Sequence, residues 1–67
     1  MNPAGLTDRQ VEILRLLSEG LTNAEIAERL VLSVRTVDHH VSAVLQKLGV
    51  GGRRDAAAAL RRLDLAT

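Results

Sequence analysis

Residues 22–49 read TNAEIAERLVLSVRTVDHHVSAVLQKLG, and the punctuation within this stretch decides the fold. Thr22-Asn23-Ala24-Glu25 has the form of a capping box, in which a threonine hydroxyl and a glutamate three residues on each satisfy a backbone N–H left free at a helix start. Ile26, Ala27 and Leu30 then fall on one face, which predicts a short helix over 23–30. Val31-Leu32-Ser33 is long enough only for a turn. Ser33 is a good N-cap for a longer helix over 34–48, which Gly49 ends. Two helices joined by three residues, the second longer and more basic, outline a helix-turn-helix.

Unrolled at about 100° per residue, the longer helix divides into two faces. Val34, Val37, Val41, Val44, Leu45 and Leu48 gather on one side, and Arg35, Asp38, His39, Ser42 and Gln46 form a stripe on the other. Packing needs only the first set. The second is a row of donors and acceptors long enough to lie along a DNA major groove, which admits an α-helix. His40 falls at the flank of the apolar side, away from His39, so the two do not share the three- or four-residue spacing of a metal site on one helix face.

The same signals recur outward from this core. Thr7-Asp8-Arg9-Gln10 is a second capping box, opening a helix from about Asp8 to Glu19 that Gly20 stops, with Val11, Ile13, Leu14, Leu16 and Leu17 over a broad apolar arc. Beyond Gly49, Val50-Gly51-Gly52 makes a tight connection to a fourth helix from Arg53 to about Leu63. Its inner stripe is Ala56, Ala59, Leu60 and Leu63, and Asp55 in its first turn suits the helix dipole. Ala57, Ala58, Arg61 and Leu65 make a smooth outer surface, the look of a high-propensity helix or of a flat patch for a second copy.

Composition agrees with an all-α domain of four short helices. The chain has 67 residues with no Phe, Tyr, Trp or Cys. Its core must be built from Leu, Ile, Val and Ala, and at this size only about 60% of the unfolded chain's surface is buried on folding. Without cysteine there are no disulfides or thiolate metal sites, and a reducing compartment is the simpler expectation. No apolar run approaches the roughly 20 residues that span a bilayer, and no signal-peptide pattern opens the chain, so a cytoplasmic location without membrane attachment is expected. The net charge of +1 hides an asymmetry: residues 1–32 carry three Arg against five acids, whereas residues 33–54 carry Arg35, Lys47, Arg53 and Arg54 against Asp38 alone. Such a local excess suits a polyanionic partner.

The run LTDRQVEILRLLSEGLTNAEIAERLVLSVRTVDHHVSAVLQKLGVGGRRDAA resembles the LuxR-type (GerE or NarL-type) DNA-binding domain of bacterial transcription regulators. The resemblance rests on LTDRQVEIL, EGLTNAEIA, RTVDHHVSAVLQKLGV and Arg54-Asp55-Ala56, and it covers about residues 6–63. It implies a domain over 6–64, preceded by a linker or remnant at 1–5 and followed by a tail at 65–67. It also implies that the third helix enters the major groove of double-stranded DNA and that dimers form through the fourth helix on inverted half-sites. The base-reading positions then fall on Asp38, His39 and Ser42, and phosphate contacts on Thr22, Asn23, Arg35, Thr36 and Lys47. The smooth outer patch of Ala57, Ala58, Arg61 and Leu65 is then the expected dimer surface, and so few small side chains leave the isolated domain pairing weakly or monomeric. RNA polymerase is a further partner such regulators take. No cofactor, metal or small-molecule ligand is implied for this domain.

Two departures stand out. Many members carry Lys at the position of Asp38; an acid facing DNA must either accept from a base, such as a cytosine amino group, or pair with Arg35 three residues earlier, and the sequence leaves both open. Gly52 stands where a Ser, Thr or Asn cap is common. Other readings are a small helical protein-interaction module, which would show no salt-dependent DNA affinity, and region 4 of a sigma factor, against which the KLGV segment and the Ala-rich fourth helix argue. An enzyme is not expected: there is no glycine-rich phosphate loop, nucleophile elbow or metal-ligand spacing.

Overall fold

The computed structural model describes residues 5–62, folded as α1 (Asp8–Ser18), α2 (Asn23–Leu30), α3 (Val34–Leu48) and α4 (Arg53–Arg62), with no strand among the described residues. The bounds of α2 and α3 coincide with those read from the capping signals. Glu19, expected as the last residue of the first helix, is instead its C-cap. Leu63, expected on the inner stripe of the fourth helix, and Leu65, expected on its outer surface, lie outside the described residues.

Each of the first three helices starts on a side-chain cap. The Thr7 hydroxyl accepts from the Gln10 N–H at 3.1 Å while Gln10 Oε1 accepts from the Thr7 N–H at 3.0 Å. Thr22 and Glu25 repeat the exchange at 3.1 and 2.8 Å. The Ser33 hydroxyl accepts from the Thr36 N–H and donates to the Thr36 hydroxyl, at 3.1 and 2.8 Å. In each case donors that a helix start would otherwise leave unsatisfied are occupied.

The three helix ends share one device as well. The Leu21 N–H bonds the Leu16 carbonyl, the Leu32 N–H that of Ala27, and the Val50 N–H that of Leu45, each reaching back five residues over a residue of positive φ. This is the Schellman closure. At two ends the pivot is the expected glycine, Gly20 and Gly49. At the third it is Val31, with φ 57° and ψ 49°, where a β-branched side chain carries real strain, and that side chain is 89% exposed. The αL pivot turns α2 sharply into α3.

α1 is the central helix, packed against all three others, while α2 and α4 do not pack on each other. Two clusters share it. Ile13, Leu16 and Leu17 meet Ile26, Ala27, Val37 and Val41, fixing α3 against α2. Leu14 joins Leu6, Val44, Ala56 and Leu60, holding α4 and the carboxyl half of α3. Leu45 packs against both. Gln10, the one buried polar residue described, is satisfied by its cap and by Lys47. Val34, assigned above to the apolar side of α3, is 47% exposed: as the first residue of α3 it belongs to neither apolar cluster.

Candidate nucleic-acid interface

The valines that bury α3 determine what it shows. With Val37, Val41 and Val44 inside, Arg35, Asp38, His39, Ser42 and Gln46 are all exposed, a stripe about 16 Å long at 1.5 Å per residue. His40 is half-buried at the flank, as its helical position requires. The Arg35 guanidinium makes no hydrogen bond or ion pair among the described residues and is available to a ligand. His39 and Ser42 are likewise without an internal partner there.

Asp38 does not pair with Arg35. Its Oδ1 accepts from Asn23 Nδ2 at 2.7 Å, and Asn23 Oδ1 in turn accepts from Arg53 Nη1 at 2.8 Å. The Arg53 Nη2 also donates to the Leu21 carbonyl. A chain of side chains thus runs from the first residue of α4, through the first residue of α2, to the α3 stripe. The sequence gives no signal for Arg53 in this role, because the contacts link positions 15 and 30 residues apart, beyond any helical periodicity.

The remaining expected phosphate-contacting residues are placed as follows. Thr22 is exposed at the start of α2, with its hydroxyl oxygen engaged in the cap. Thr36 is half-buried, its hydroxyl oxygen accepting from Ser33. Lys47 lies about 120° around α3 from the middle of the stripe, and its ammonium donates to the Gly5 carbonyl at 3.2 Å and to Gln10 Oε1 at 2.9 Å. It therefore ties the end of α3 to the start of α1. On α4, Ala57 and Ala58 are half-buried and Arg61 is exposed.

The α2 cap has an electrostatic consequence. The Thr22 backbone N–H donates to the Glu25 carboxylate, and this bond, with the Thr22 side chain beside it and a smaller contribution from Arg29, holds its pKa below the usual carboxylate range. The charged cap therefore persists through neutral pH.

An open groove of about 900 Å³ is lined by charges of both signs from α1 and α2, including the Arg9–Glu12 pair at 3.1 Å, and contains no residue of α3. Among the described residues no group of three acidic, His or Cys side chains could hold a metal ion, and no helix is long and apolar enough to cross a membrane.

Comparison with known proteins gives a consistent answer. Residues 4–60 match the family described as "Bacterial regulatory proteins, luxR family". The chain is 52% identical over 54 residues to the DNA-binding transcriptional activator DevR/DosR of Mycobacterium tuberculosis, a match spanning 81% of this chain and 25% of that protein. It is 45% identical over 58 residues to the spore germination protein GerE of Bacillus subtilis, spanning 87% of this chain and 78% of GerE. Among solved structures, the response regulator ChrA of a heme-sensing two-component system superposes with a TM-score of 0.87 at 39% identity, over 91% of this chain and 30% of ChrA. The chain thus spans about a quarter of the length of relatives such as DevR/DosR. Four helices built around a helix-turn-helix, together with these matches, place the chain in the luxR family of bacterial regulatory proteins as a LuxR-type DNA-binding domain.

Proposed function

We propose that this domain binds double-stranded DNA sequence-specifically by laying α3 in the major groove, with His39, Ser42 and Asp38 toward base edges and Arg35 toward a phosphate. The observation that carries this reading is the exposed polar stripe of α3, held rigidly outward by buried Val37, Val41 and Val44. Thr22 and Asn23 at the start of α2 and Thr36 on α3 add neutral donors for phosphate oxygens, which position the protein without reading sequence. Lys47 contributes positive potential at the end of α3, and reaches a phosphate only by leaving Gln10 and Gly5. Exposed Arg61 with half-buried Ala57 and Ala58 supports pairing of two domains on inverted half-sites. That contact is small; at about 25 cal/mol per Å² it adds little beyond the entropy cost of association, so pairing occurs on DNA rather than free in solution. A regulator acting in this way would work with RNA polymerase.

The test is fluorescence anisotropy of labelled duplexes across a salt series, comparing a randomised inverted-repeat library with a single random duplex. Arg35, joined by Lys47 where it leaves Gln10 and Gly5, neutralises one or two phosphates per domain, which predicts a log–log salt slope of about −1 to −2 per domain, with enrichment of particular library members. A folded protein with no affinity at low salt would refute DNA binding and leave a protein-interaction module as the better reading.

A further inference from the structure

We propose that Asn23, held in turn by Arg53, positions Asp38 so that its second carboxylate oxygen accepts a hydrogen bond from a cytosine amino group, making the Arg53–Asn23–Asp38 chain a specificity device. This rests on the placement of α3 in the major groove proposed above.

The direction of the chain is fixed by chemistry. Arg53 can only donate, so the Asn23 atom facing it is the carbonyl oxygen; an ionised Asp38 can only accept, so the atom facing it is the amide nitrogen. The asparagine cannot turn over without setting donor against donor and acceptor against acceptor. Arg53 is itself anchored to the Leu21 carbonyl, in the turn before α2. One oxygen of Asp38 is consequently occupied at 2.7 Å, and the other has no partner among the described residues on an exposed position of the stripe. On the helix Asp38 lies at the edge of the stripe facing α2, about 50° from its centre, which allows it to meet Asn23 and still present an oxygen outward.

An acceptor held there discriminates among bases. Guanine and thymine show acceptors on their major-groove edges, and adenine sets N7 beside its amino group, so a carboxylate is repelled or partly opposed by each; cytosine shows an amino donor alone. The guanidinium at the far end of the chain offsets part of the negative charge that Asp38 brings toward the phosphates. Asp38 thereby becomes a reader of cytosine rather than a source of repulsion, while Asn23 and Arg53 are positioning residues that act through it.

The experiment is selection of binding sites from a randomised inverted-repeat library by the unaltered domain and by Asp38→Asn, Asp38→Ala and Asn23→Ala, with circular dichroism confirming that each is folded. The unaltered domain should favour cytosine at one position of each half-site by on the order of tenfold. Asp38→Asn keeps an oxygen for Asn23 and turns an amide donor outward, so it should exchange cytosine for a base with an acceptor there. Asp38→Ala should lose discrimination at that position only. Asn23→Ala should shrink the cytosine preference; any phosphate contact it also loses lowers affinity on every sequence and leaves the ratio between bases unaffected. Identical selected sites from all four proteins would overturn the proposal while leaving DNA binding intact. Absence of salt-dependent binding by the unaltered domain would instead remove the reading on which it rests.

Discussion

At the residue scale the least expected finding is Val31. A glycine at a helix end declares a left-handed pivot because only glycine adopts it without cost, as Gly20 and Gly49 do. Valine makes no such declaration, so the sequence shows a turn at 31–33 without the conformation of its first residue. The side chain is exposed and gains little by packing, which leaves the strain uncompensated at this position. Val31→Gly is therefore expected to stabilise the domain by about 1 kcal/mol, measured by urea denaturation; destabilisation would show that the side chain makes a contact worth more than the strain. His39 was legible as part of the stripe because helical periodicity alone sets its direction. His39→Ala is expected to weaken binding to a selected operator more than to random DNA, measured as two dissociation constants at one salt concentration. Equal losses would make it a positioning contact.

At the element scale the capping signals were accurate to the residue for α2 and α3, since a cap is a local exchange between positions three apart and needs no knowledge of the fold. The contacts of Lys47, Asn23, Asp38 and Arg53 were not legible, because they depend on how α1, α2 and α4 are set around α3. Two outcomes follow from these elements. Lys47→Met should lower stability by roughly 0.5–1 kcal/mol through loss of the bonds to Gln10 and Gly5, read by urea denaturation; an unchanged midpoint would mean that the ammonium is not held there in solution. The α2 cap should be acid-sensitive. The folded Glu25 carboxyl lies below its unfolded value, so its stabilisation is complete above the unfolded pKa and is lost as pH falls through the folded one. Glu25→Gln, which keeps the capping geometry without the charge, should flatten the fall in stability through the acid range just below the usual glutamate value. A fall as steep as that of the unaltered chain would assign it to other carboxylates.

At the scale of the whole molecule, two small apolar clusters share one central helix, and the exposed polar stripe is a by-product of how α3 is packed. Ile26→Ala in the cluster beneath the helix-turn-helix should cost about 2–4 kcal/mol, a large part of the stability of so short a chain, and denaturation by urea should show one cooperative transition rather than two. The four-helix architecture was legible because apolar periodicity and glycine stops agree along nearly the whole chain. The exposure of Val34 is not legible in the sequence because periodicity describes one helix and not which part of it a neighbour covers. Binding electrostatics also belong to this scale: Arg35→Ala should reduce the magnitude of the salt slope by about one for each domain bound, whereas no change in slope would mean that Arg35 does not meet a phosphate.

Everything proposed for binding depends on the α3 stripe being the DNA-binding face. This is tested most directly by following the backbone amide resonances of the isotope-labelled domain during titration with a duplex selected from the inverted-repeat library. The largest shifts should fall on Arg35, Asp38, His39, Ser42 and Gln46 and on Thr22 and Asn23 at the start of α2, with the charged groove of α1 unmoved. Shifts centred on Arg9, Glu12 and Arg15, with the stripe undisturbed, would contradict it.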